Sequence, residues 1–75
     1  MSDLDPSVGE FLGRLATEFG VEPPTDADID AALRLAAVAA RASARQAAPV
    51  ACWLAARAGV DLVDATAIAE RLAAD

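Results

Sequence analysis

Alanine occupies 21 of the 75 positions, and that excess constrains the fold more than any other feature. Alanine is the best intrinsic helix former, and the β-branched and aromatic residues that favour strands are sparse. Helix is therefore expected wherever Gly and Pro do not interrupt it. The expected fold is all-α: a single compact four-helix domain over 1–75, with helices at about 5–19, 26–45, 49–58 and 61–73. So short a chain buries only about 60% of its unfolded surface. It carries 20 large apolar side chains (Leu, Val, Ile, Phe, Trp and Met). The alanines must therefore be buried too, by close helix–helix contact or by a partner chain.

The helix ends are signalled by their capping residues. Asp5 can accept from a free first-turn N–H, and Pro6 suits the first helical position. Val8, Phe11, Leu12, Leu15 and Phe19 recur at the spacing of one helix face, and Gly20 supplies a left-handed terminus. Val21–Pro24 is a stiff connector. Thr25-Asp26-Ala27-Asp28 resembles a capping box with Asp in place of Glu. In the second helix Asp30, Arg34, Arg41 and Arg45 fall within about 60° of one another at the helical repeat. The apolar side is read as Ile29, Leu33, Ala36 and Ala40. Pro49 breaks this helix and opens the third, whose core face is read as Val50, Trp53, Leu54 and Ala58 and which Gly59 ends. Asp61 is the expected cap of the fourth, with Leu62, Ala65, Ile68, Ala69 and Leu72 facing inward.

Charge and composition exclude several function classes. The formal net charge is −6. Nucleic-acid binders and proteins seated on anionic membranes normally carry a basic excess, so neither role is expected. All six cations are Arg, as GC-rich codon usage would produce. The single cysteine, Cys52, cannot form an internal disulfide. The acidic N-terminus does not read as a signal peptide, and the longest uncharged stretch, Gln46–Ala56, is too short to span a bilayer. The expected compartment is the cytoplasm.

The chemistry-bearing residues are few. There is no His, Tyr or Lys, which removes the commonest general base, the commonest metal ligand and the usual Schiff-base residue. Asp5, Asp28 and Asp61 are accounted for as helix caps. Cys52 lies in an apolar helix with no base to activate it and is read as a packed thiol. No catalytic residue, cofactor or metal site is expected, and the chain is read as a non-enzyme. Trp53 is read first as a core anchor and alternatively as a contact at a partner surface, where Trp is enriched. Arg41 and Arg45, just before Pro49 and the third helix, could add forked donors to a helix N-terminus and take a small anion, a nucleotide or an acidic partner segment. The candidate contacts are therefore Arg41, Arg45, Pro49 and Trp53. An acyl-carrier reading also fits a small acidic helical domain. It lacks the serine at the start of the second helix that would hold a phosphopantetheine arm, since the serines are Ser2, Ser7 and Ser43.

The stretch from Ala44 to Gly59, with its Arg45…Ala48-Pro49 turn, apolar helix and small-residue exit, resembles the most recognisable segment of an uncharacterised helical family of GC-rich bacteria. Phe19-Gly20-Val21 and the acidic start from Asp26 to Asp30 are similar as well. Gln46 stands where that family usually has proline. Members occur alone or joined to the nucleotidyltransferase that makes guanylated molybdenum cofactor. The resemblance implies an accessory role beside molybdenum cofactor biosynthesis, without catalysis by this domain, and a molybdenum cofactor guanylyltransferase as partner. From the residues themselves, a mean hydropathy of +0.35 with 56% apolar residues is more than one small core can hide. A non-enzymatic module that binds a protein partner or itself is the expected function.

Overall fold

The structure, a computed structural model, describes residues 5–75. Met1–Leu4, the start of the acidic N-terminus that does not read as a signal peptide, lies outside them. The described residues form four α-helices and no strand: α1 (Pro6–Phe19), α2 (Asp26–Ala42), α3 (Ala47–Ala58) and α4 (Leu62–Ala74). They divide into two units at the Asp30–Ala31 bond.

The first unit holds α1, the proline connector and the opening of α2. Asp5 precedes α1 as its cap rather than belonging to it, and its carboxylate accepts from the Ser7 N–H at 2.9 Å. The Ser7 hydroxyl donates to the same oxygen at 2.9 Å. These two bonds, the backbone one first, hold the Asp5 carboxyl below its ordinary pKa. Gly20 takes the left-handed conformation at φ 72°, and Val21 N–H closes back on Ala16 O at 3.0 Å. That wide closing bond satisfies a carbonyl the helix end would otherwise leave free. At α2 the capping box forms reciprocally: Asp28 N–H donates to Thr25 Oγ1 at 3.0 Å, and Thr25 N–H donates to Asp28 Oδ2 at 2.9 Å. The shorter Asp side chain therefore does the work usually given to Glu. On α1, Ala16 is buried and Leu12 and Leu15 are half-buried, whereas Phe11 and Phe19 are exposed. Phe19 shares the register of Leu12 and Leu15 but ends the helix, and Val8 in its first turn is also exposed, so the inward stripe is shorter than the apolar spacing implied.

The second unit runs from Ala31 to Asp75 and contains the rest of α2 with α3 and α4. Its buried residues are Leu35, Val38, Ala39 and Ala55, and α3 packs against α4. Two of those four are alanines, so close helix approach does bury small side chains here.

Five further expectations need correction. First, α2 ends at Ala42, so Arg45 is not helical, and α3 begins at Ala47 rather than Pro49. The break takes up residues 43–46 because a helix continuing through Pro49 would drive its ring into the Arg45 carbonyl. Pro49 instead sits third in α3, where a missing N–H has no intrahelical acceptor to lose. Second, α2 exposes Leu33 and buries Leu35, Val38 and Ala39 with Ile29. At about 100° per residue, Val38, Leu35 and Ala39 run from one flank of the Arg34–Arg41 stripe round to the side opposite it, while Leu33 lies on the other flank. Third, α3 turns Val50, Trp53, Leu54 and Ala58 outward. Fourth, Asp61 stands at the start of α4 but its side chain makes no capping bond. Only its backbone carbonyl engages, accepting from Ala65 N–H at 2.8 Å. Fifth, α4 leaves Ile68 and Leu72 exposed, while Leu62, Ala65 and Ala69 are half-buried as expected.

Candidate interaction surface

The most informative local feature is the orientation of α3. Its sequence, AAPVACWLAARA, contains one charged residue, Arg57. At the helical repeat it has two apolar stripes on opposite sides. One is small: Ala48, Ala51, Cys52 and Ala55. The other is large: Val50, Trp53 and Leu54, joined by Arg57 at i+7 from Val50. The structure puts the small stripe inward, with Ala55 buried and Ala48, Ala51 and Cys52 half-buried. The large stripe faces outward, with Val50 53%, Trp53 56% and Leu54 54% exposed. Small side chains let helix axes approach closely, and that favours the alanine stripe as the packed one.

The outward stripe has its own local order. The Arg57 guanidinium carbon lies 5.2 Å from the Trp53 ring centroid, within cation–π range. Four residues apart on one helix, these side chains are direct neighbours. Arg57 also stands in the last turn, where the helix dipole favours a cation. At the other end of α3, Ala47 N–H donates to Ala44 O at 2.9 Å and Ala48 N–H to Arg45 O at 3.2 Å. Pro49 has no N–H. The first turn of α3 therefore spends its donors on its own backbone and offers none of these three to an anion.

A family model described as a domain of unknown function (DUF6457) matches residues 3–75. The chain belongs to the DUF6457 family. Neither a curated protein nor a solved structure matches it.

In this DUF6457 domain the four residues singled out from sequence have distinct places. Arg41 is exposed on the last turn of α2, and Arg45 is exposed in the turn that follows. The helical register that put them on one face ends between them. Pro49 is exposed in the first turn of α3, and Trp53 is the centre of the outward stripe. Sequence reasoning missed Val50, Leu54 and Arg57 as surface residues. Arg57 was the available signal, because the one charge on an apolar helix marks the side that keeps water.

Cys52 is held away from reaction. Its thiol donates to Ala32 O on α2 at 3.5 Å, and partial burial pushes its pKa above the ordinary value. A raised pKa leaves less thiolate at neutral pH, and the thiolate is the nucleophile. On α1 of the DUF6457 domain, Phe11, Arg14, Leu15 and Glu18 line a shallow open depression. Among the described residues no group of three or more Cys, Asp or Glu is placed to hold a metal ion. None of the four helices is long and apolar enough to cross a membrane.

Proposed function

We propose that this DUF6457 domain is a non-catalytic interaction module that docks a protein partner through the outward stripe of α3. The observation that supports this is the exposure of Val50, Trp53 and Leu54 together on one helix face. Each forgoes part of the roughly 1.5–3 kcal/mol that full burial of a large apolar side chain is worth. Trp and Arg are also among the residue types most enriched at the energetic centres of interfaces. The lack of His, Tyr and Lys and the suppressed thiol of Cys52 favour a binding role over a chemical one.

The partner we propose is a molybdenum cofactor guanylyltransferase, on the strength of the sequence resemblance in the Ala44–Gly59 segment. Calorimetric titration of the purified domain against the guanylyltransferase of the same cell tests the reading. It predicts saturable binding that Trp53→Ala weakens about 30-fold or more, as loss of an interface anchor does. The exposed position of Trp53 means this variant keeps its helical content. Absence of binding, or binding that Trp53→Ala leaves unchanged, overturns the proposal.

A further inference from the structure

Charge in this chain is segregated along the sequence. Residues 31–60 contain Arg34, Arg41, Arg45 and Arg57 and not one of the twelve acids. All four arginines are exposed, and all lie in the second unit together with the whole of α3. The protein is acidic overall, yet its outward apolar stripe sits in a stretch that is purely cationic. Arg45 lies in the turn just before α3 and Arg57 in its last turn, so arginines bracket Val50, Trp53 and Leu54 along the chain, and Arg57 stands beside Trp53 itself. At physiological salt, charges more than about 8 Å away are largely screened, so an incoming group responds to the charges beside the stripe more than to the net charge of the whole protein.

We infer that the segment docking on α3 is acidic and amphipathic: a short helix with an apolar stripe flanked by carboxylates. This rests on α3 being the docking face. Val50 and Arg57 stand seven residues apart, about 10 Å of helix, so two to three turns of a partner helix cover the stripe. An apolar anchor on that helix meets Trp53 and Leu54, and its flanking Asp or Glu side chains meet Arg45 and Arg57. Guanidinium groups pair with carboxylates through two parallel hydrogen bonds, which fixes orientation as well as charge. A basic segment meets like charge at both ends of the stripe and is rejected.

The test uses two synthetic amphipathic helical peptides with one shared leucine stripe, one flanked by Glu and the other by Lys. Binding is read from Trp53 fluorescence and from backbone amide shifts of the intact domain. The Glu peptide is expected to bind at least about tenfold tighter than the Lys peptide, with shifts centred on α3, and added salt narrows the difference. The double variant Arg45→Glu/Arg57→Glu inverts the preference, while Arg45→Gln/Arg57→Gln abolishes it without reversal. Circular dichroism checks that both variants remain helical.

Equal binding of both peptides through Trp53 overturns the acidic preference and leaves the docking face standing. No binding of the Glu peptide at about millimolar concentration, the weak limit of useful affinity, overturns the inference outright. Sedimentation of the domain alone supplies a further check. A monomer is expected, and a concentration-dependent dimer abolished by Trp53→Ala would assign the face to a second copy instead.

Discussion

Gly20 and Gly59 hold φ at 72° and 69°, and they are the described residues with positive φ. Nothing lies within 4 Å of a Cβ built at either position. Any cost of adding a side chain there is therefore backbone strain, not collision. The left-handed conformation costs an L-residue roughly 1–2 kcal/mol. Gly9, inside α1, also has open space around its Cβ position. There alanine relieves the entropic cost of helical glycine, worth roughly 0.5–1 kcal/mol. The same substitution thus has opposite signs: Gly59→Ala should lower the melting temperature by several degrees, and Gly9→Ala should raise it. At this chain length about 1 kcal/mol corresponds to a shift of about 4–8 °C. Thermal unfolding followed by circular dichroism measures both; a stabilising Gly59→Ala would contradict the assigned cap geometry.

At the scale of the helix, what was legible in the sequence follows from how far each signal reaches. Caps are local, and Asp5, Gly20, the Thr25–Asp28 pair and Gly59 act where the residue pattern placed them. The number and order of helices follow from those caps and from alanine. The inward face of α3 was not legible from apolar spacing, because both of its stripes are apolar and only packing distance separates them. Spacing scored the larger side chains as core. Arg57, in register with Val50 and Trp53, carried the contrary information. In α2 the arginine stripe is exposed as its spacing predicts, but the buried side is turned toward Leu35, Val38 and Ala39 and away from Leu33. The consequence is measurable. Leu35 is 2% exposed, and Leu35→Ala should cost roughly 2–5 kcal/mol, a large share of a small domain's stability. Leu54→Gln, on the outward stripe, should change stability by no more than about 0.5 kcal/mol. Urea unfolding of the two variants separates them, and equal losses would place Leu54 in the core after all.

For the molecule as a whole, the acidic net charge hides a division of charge along the chain. Acids gather in residues 1–30 and 61–75, and the stretch between them is cationic and apolar. The docking proposed for α3 would therefore favour acidic segments, which meet like charge on the acid-bearing stretches of the chain. The proposed docking depends throughout on α3 presenting its large side chains to water. Trp53 is the sole tryptophan, so its fluorescence reports on that face alone. In dilute solution, its emission should be that of a solvated indole, and both acrylamide and iodide should quench it. Iodide should be the more effective relative to a tryptophan-amide standard, because the Arg57 guanidinium beside the ring attracts the anion. Blue-shifted emission that neither quencher reaches in the folded monomer would contradict the account, by placing Trp53 in the core.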